Sequence, residues 1–170
     1  MSRRFCAIGL GLLLSGCGFV SQPGVDAGGS ADVLGPPGLE IGGADDSGLG
    51  FVSWRDGTAR PTIISGPQGG QHIWVSAHIR GLWPKKISLS VGMHDFLTGA
   101  LVLPGDVTRI VDLTPYPDDY EYQGFIAYVS NPCAIADRAI RVEMVASDLY
   151  GVATSDSAVV TPQWSYPCGP

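Results

Sequence analysis

Apolar and polar residues alternate along much of this chain. In the run 71–80, isoleucine, valine and alanine at every second position alternate with polar or aromatic residues, and the run 86–95 repeats this pattern. Successive side chains of a strand point to opposite faces, so both runs are predicted to be strands with one buried face. The connector 81–85 contains glycine and proline, which favours an antiparallel hairpin. In the register that keeps both apolar faces together, Trp74 lies opposite Gly92 and His72 lies opposite His94.

Further short segments with strand character follow at regular spacing. They are 51–54, 61–65, 101–103, 108–113, 121–130, 138–148 and 153–162. Helical periodicity is almost absent, and 132–138 could form at most one turn. This pattern predicts an all-β fold, a single antiparallel β-sandwich. It resembles the immunoglobulin-like modules of bacterial surface proteins, although its cysteines do not flank a tryptophan as antibody cysteines do. A jelly roll or a small barrel is the structural alternative.

The composition changes near residue 51. Residues 18–50 contain ten glycines among 33 residues, five acidic residues and neither lysine nor arginine. Such a segment offers too little apolar surface to offset the entropy lost on ordering. We therefore expect 17–50 to be a flexible linker and 51–170 to form the sandwich domain.

The N-terminus has the pattern of an export signal. Arg3 and Arg4 precede an apolar run over 5–14, and the small residues Ser15 and Gly16 then lead to Cys17. A short basic region, a brief apolar core and small residues before a cleavage point are typical of a signal peptide, and the apolar run is too short to span a membrane. A plain secretory signal with an incidental cysteine is the alternative.

The segment Leu14-Ser15-Gly16-Cys17 resembles the lipobox of bacterial lipoproteins. The resemblance implies that the signal peptide 1–16 is removed and that Cys17 receives a diacylglyceryl group and a further acyl chain such as palmitate. Two or three acyl chains hold a protein firmly on a bilayer. Gly18 follows Cys17 in place of the aspartate that retains many lipoproteins in the inner membrane. The implied location is the cell envelope, at the outer membrane.

The charge balance excludes some partners. The full chain has a formal net charge of −6, and removal of Arg3 and Arg4 with the signal peptide leaves eight basic against sixteen acidic residues. An acidic chain without a basic cluster is a poor ligand for nucleic acid, because neutralisation of phosphates by lysine and arginine dominates that affinity. We expect no nucleic-acid partner.

Two cysteines remain once Cys6 is removed and Cys17 is lipidated. Cys133 and Cys168 form an even pair in an oxidising compartment, which predicts a disulfide. A redox or metal-binding thiol pair is the alternative, but the chain has no CxxC spacing and no third ligand nearby in sequence. The predicted bridge would tie the C-terminal segment to the loop that precedes the strand at Arg138.

Residues suited to catalysis or metal binding are sparse. His72 and His94 would meet across the predicted hairpin, but two histidines without a third ligand make a weak metal site. Asp118, Asp119 and Glu121 cluster without EF-hand spacing, so an exposed acidic loop is the simpler interpretation. The chain also lacks the Gly-x-Ser-x-Gly elbow of many hydrolases. We expect no catalytic residue, no metal and no cofactor.

Aromatic side chains carry the functional hypothesis. Exposed tryptophan and tyrosine supply large rigid contact areas at binding sites, and the candidates are Trp74, Trp83, Tyr116, Tyr120 and Tyr122. The hypothesis is a membrane-anchored, non-enzymatic binding module for an envelope protein or a glycan. The alternatives are a structural or accessory subunit of an envelope complex and, third, a small lipid-anchored hydrolase. Packing of several of these aromatics into the sandwich edges would weaken the binding hypothesis.

Overall fold

The protein is an all-β sandwich, as the alternating pattern predicts. The computed structural model describes residues 35–45, 48, 50–67, 69–102 and 104–168. This part of the chain forms two antiparallel sheets. Its elements are β1 (Gly38–Ala44), β2 (Phe51–Ser53), β3 (Ile64–Ser65), β4 (Gln71–Arg80), β5 (Ile87–Asp95), β6 (Val107–Val111), β7 (Thr114–Tyr116), β8 (Asp119–Val129), α1 (Pro132–Ile135), β9 (Ile140–Ser147) and β10 (Ala153–Val160).

The strand order is that of an immunoglobulin-like sandwich. The first sheet has the order β2-β1-β4-β8-β7, with β3 added to β4 on the β1 side, and the second has the order β10-β9-β5-β6. The series β1-β4-β8-β7 facing β10-β9-β5 is the arrangement of two packed sheets found in immunoglobulin domains, and β6 extends the second sheet. The predicted β-sandwich is therefore confirmed in its topology as well as in its class.

The core lies between the two sheets. On β4 the inward residues at 73, 75, 77 and 79 are fully buried, and on β5 those at 87, 89, 91 and 93 are at most 4% exposed. Phe125 of β8 is the largest fully buried side chain. The inward faces match those that the period-two alternation predicts.

The predicted pairing of β4 with β5 is wrong. The two strands belong to different sheets, so Trp74 lies opposite Ile126 and not Gly92, and His72 lies opposite Tyr128 and not His94. The connection between β4 and β5 crosses the sandwich, and its Leu82 is fully buried. Alternation shows that each strand buries one face, but two strands that bury the same core from opposite sheets have the same pattern.

The expected linker over 17–50 is wrong where it covers β1. This strand pairs with β4 over Gly38–Gly42 and with β2 over Gly42–Ala44, and Ile41 is fully buried. Two of its glycines are required by close packing. A Cβ at Gly42 would lie 2.3 Å from the Val52 carbonyl oxygen, and one at Gly43 would lie 2.8 Å from the Trp54 ring. The sandwich therefore begins well before residue 51, while the signal peptide 1–16 and Cys17 lie outside the described residues.

The short helix agrees with its prediction, whereas the segment 101–103 does not. The helix α1 is a single turn, as predicted for 132–138. The segment 101–103 was expected to be a strand, but among its described residues only Leu101 forms a bridge, to His94.

Within the residues that the structure describes, no helix has the length and hydropathy needed to cross a membrane.

The predicted disulfide is confirmed. Cys133 on α1 is bonded to Cys168, with their Cα atoms 5.6 Å apart. The segment that leads to Cys168 is also held by its backbone: Gln163 donates to the Pro61 carbonyl (2.9 Å) and accepts from the Ile63 amide (2.8 Å). The C-terminal segment therefore closes one side of the sandwich.

Candidate functional site

A groove opens on the edge of β4, where two neighbouring strands stop short of each other. On this edge β3 reaches only to His72, and β1 begins its pairing at Ser76. The gap leaves a groove of 630 Å³ lined by the β1–β2 hairpin, residues 59–62, Ile64 and Trp74. A volume of this size lies within the range of small-ligand sites in proteins.

The backbone of Trp74 faces this gap. The amide of Ile41 donates to Asp156 (3.1 Å) and its carbonyl accepts from the Trp54 amide (3.1 Å), so both groups point away from β4. The adjacent residue in β1 therefore points its backbone toward Ser76 of β4, because alternate residues of a strand bond to opposite neighbours. Trp74 lies two residues before Ser76 in β4, so its N–H and C=O point to the same side of the strand as those of Ser76. They offer one donor and one acceptor to a bound molecule.

Side chains make the groove partly aromatic and partly aliphatic. The Trp74 ring is 44% exposed and the Ile64 side chain 39%, while Trp54 is buried beneath. Arg60 stands at the rim with its guanidinium 3.0 Å from Asp137. Among the described lining residues, Asp45 and Arg60 carry the charges, and no serine, histidine or cysteine is present. These groups can hold a ligand with one apolar face and several hydroxyl or amide groups.

The five aromatic candidates do not form one surface. Trp74 lies at the groove, and Trp83 lies beside Tyr150 in the loops at the far end of the sandwich, with ring centroids 6.4 Å apart. Tyr116 packs on the His78 ring. Tyr120 and Tyr122 are half-buried against the core. Tyr120 and Tyr122 lie on β8 opposite the inward residues Ile79 and Ala77, so they pack against the core and do not form an exposed site.

A largely buried contact between His78 and Glu121 lies on the outer face of the first sheet and was not predicted from the sequence. The His78 ring lies between Phe51 and Tyr116, with centroid distances of 3.8 and 4.3 Å. Its Nε2 is 3.5 Å from Oε1 of Glu121, and neither atom has a hydrogen-bond partner. The register of β4 against β8 places His78 opposite Glu121. The two rings pack on His78, and the side chains of His78 and Glu121 are only 15% and 11% exposed, so the contact contributes to the packing of this sheet face.

The histidines considered for a metal site lie apart. His72 belongs to the first sheet and His94 to the second, where His94 is 3.9 Å from Glu143. Burial lowers the pKa of His72, and a hydrogen bond with the Gly70 backbone opposes this effect. Glu121 of the predicted acidic loop pairs with His78 on the sheet face. In the described part of the chain, no group of three or more histidine, cysteine or acidic residues is arranged to hold a metal ion.

Comparison with protein-family models and with curated proteins finds no match to this chain.

Proposed function

We propose that this protein is a lipid-anchored envelope lipoprotein whose β-sandwich is a non-enzymatic binding module, with the groove beside Trp74 as its ligand site. The observation that carries the proposal is a half-exposed tryptophan ring in a groove of 630 Å³, beside strand backbone that faces the gap between β1 and β3. Ligand sites combine such apolar walls with a few polar groups that fix orientation.

A glycan suits this groove better than a protein segment does. The Trp74 ring can cover the apolar face of a sugar, while its backbone N–H and C=O and the Arg60 guanidinium contact hydroxyl groups. An extended peptide added to β4 would be limited to the three residues 73–75 between the ends of β3 and β1. Strand addition derives its affinity from a longer row of backbone hydrogen bonds.

The lipobox supports the lipid anchor, and the disulfide supports export. The bond between Cys133 and Cys168 fits export into an oxidising compartment, where disulfides persist. Lipidation of Cys17 at an outer-membrane location remains the expectation from Leu14-Ser15-Gly16-Cys17.

A structural subunit of an envelope complex is the second candidate. Strand β6 is the free edge of its sheet among the described strands, and its Ile110 is 67% exposed. An uncovered strand edge can pair with another chain. In that case, disruption of β6 would impair function and replacement of Trp74 would not.

Substitution of Cys17 by serine is expected to release the protein from the membrane fraction of the producing bacterium. The serine hydroxyl does not accept the diacylglyceryl group in place of a thiol, and without acyl chains the acidic domain has little affinity for lipid. Membrane fractionation and intact-mass spectrometry measure the effect. Cys6→Ser is the matched control and should leave both location and acyl mass unchanged. Membrane retention of the Cys17→Ser variant with the mass increment of the parent would contradict the proposed anchor.

Substitution of Trp74 by alanine is expected to weaken glycan binding at least tenfold, which corresponds to about 1.4 kcal/mol. The ring supplies the apolar contact, and its loss from an exposed position should leave the fold intact. Isothermal titration with a panel of neutral envelope oligosaccharides measures the affinity, and Trp83→Ala is the control at the other end of the sandwich. Equal affinity of the Trp74→Ala variant and the parent would remove the groove from the proposal. Absence of binding by the parent to every oligosaccharide would contradict a glycan ligand.

A further inference from the structure

Three apolar side chains are exposed together at one end of the sandwich. Trp83 is 40% exposed, Leu149 53% and Tyr150 62%, and the Trp83 and Tyr150 rings meet edge to face. They belong to two loops, the β4–β5 connection and the β9–β10 turn. We call these three residues the aromatic tip.

Asp148 fixes the geometry of the aromatic tip. One of its carboxylate oxygens accepts a hydrogen bond from the Trp83 amide (3.1 Å). The other accepts from the amides of Tyr150 (2.9 Å) and Val152 (3.0 Å). The two loops are therefore held together before any partner is bound, which reduces the entropy lost on docking.

The N-terminal part of the chain reaches the sandwich at this same end. A Cβ on Gly81 would lie 2.7 Å from backbone atoms of Pro36 and Pro37, so the first described residues pass directly against the loop that carries Trp83. Residues 18–34 separate Cys17 from Gly35. A chain of this length spans at most about 60 Å even when fully extended. A lipid on Cys17 would therefore tether the sandwich at the end that carries the aromatic tip.

We propose that the aromatic tip docks into the interfacial region of the membrane that carries the lipid anchor, and so orients the sandwich on the bilayer. The inference depends on the proposed lipidation of Cys17. Tryptophan and tyrosine favour the headgroup level of a bilayer because each combines an apolar ring with a polar group. The location of the tip at the chain entry selects the membrane as its partner over a second protein.

Electrostatic attraction contributes little to this docking. Lys85 and Lys86 of the same loop both lie close to Asp112, with Lys85 at 3.3 Å, and Asp148 adds a second acid beside Trp83, so these four groups carry no net charge. The contact is therefore driven by burial of apolar rings and should be insensitive to salt, in contrast to binding through basic clusters.

Docking of the tip would present the groove away from the membrane. Trp74 lies six residues along β4 from Arg80, the strand residue nearest to the tip loop. At the rise of a strand this separation is about 20 Å. The groove and the β1–β2 turn would then face outward from the lipid surface, where an envelope glycan can reach them.

Tryptophan quenching in vesicles tests the inference. The lipidated protein, purified from membranes, is reconstituted into vesicles of phosphatidylcholine brominated on its acyl chains, and its acyl mass is measured in the same preparation. We expect bromine to quench the parent protein, Trp83→Phe to lose at least half of that quenching, and Trp74→Phe to retain it. The quenching should persist in 0.5 M salt, about three times physiological ionic strength.

Two further variants separate docking from simple tethering. Leu149→Asp should reduce the quenching at least twofold, whereas Leu97→Asp, at a residue 85% exposed at the other end of the sandwich, should not. If the protein is acylated but Trp83→Phe leaves the quenching unchanged, or the parent is not quenched, the docking inference is overturned and the anchor stands. If Cys17 carries no acyl group, the proposed anchor and the docking inference both fail.

Discussion

Substitution of Ile41 by alanine is expected to lower the free energy of unfolding by about 2–5 kcal/mol, the range for large-to-small changes at buried aliphatic positions. The side chain of Ile41 is fully buried in the core between the two sheets. Its truncation would leave a cavity beside Ala77, which pairs with Ile41 across β1 and β4. The loss would be large in a domain whose total stability is about 5–15 kcal/mol.

Urea unfolding followed by circular dichroism measures this effect. Val52→Ala is the matched control, because Val52 lies on the adjacent strand β2 and is 45% exposed. That change should alter stability by no more than about 0.5 kcal/mol. Equal effects of the two substitutions would mean that β1 does not contribute to the core, and residues 38–44 would then be part of the linker that their composition suggests.

Ile41 is buried in a strand although the segment around it is rich in glycine, and for this reason the sequence wrongly predicted a linker there. Glycine-rich composition favours a linker because glycine loses much conformational freedom on folding. In β1 the glycines at 42 and 43 instead leave room for the Val52 carbonyl and the Trp54 ring. Composition cannot distinguish a glycine that permits motion from one that permits close packing, because the atom that approaches it belongs to a distant part of the chain.

The strands themselves were predictable where alternation was long and regular. The predicted strand 71–80 matches β4, and 86–95 differs from β5 by one residue. Their partners were not predictable, because alternation does not indicate which sheet a strand joins. The connection between β4 and β5 crosses from one sheet to the other, with Leu82 buried in the core. The candidate site follows the same rule: exposure of Trp74 was expected from its strand face, but the groove exists only because β1 and β3 leave a gap along β4.

The pairing of His78 with Glu121 illustrates a further limit. The strands β4 and β8 change register at a bulge. His78 and Glu121 face each other only in the register adopted by the N-terminal part of β8, before this bulge. At that irregularity Gly124 has a φ of 74°, a conformation that glycine adopts readily and most other residues do not. A shift of one residue would move Glu121 to the opposite face of the sheet. A local sequence pattern does not contain this register, so the contact between His78 and Glu121 could be found only in the three-dimensional structure.

Removal of the disulfide is expected to cost about 4 kcal/mol of stability in the chain-entropy model. The bridge joins residues 35 apart in sequence, and its loss enlarges the conformational freedom of the unfolded chain. The C-terminal segment would keep its backbone bonds to Pro61 and Ile63, so the sandwich should still fold. Urea unfolding of the Cys133→Ser/Cys168→Ser double variant measures the change.

Reduction of the parent protein provides the internal control for this prediction. Dithiothreitol should lower the unfolding midpoint of the parent toward that of the double variant and should leave the double variant unchanged. If the variant and the oxidised parent unfold at the same urea concentration, the bridge does not stabilise the fold. Its role would then be confined to holding the segment after β10 against α1, where the backbone bonds of Gln163 already secure the closed side of the sandwich.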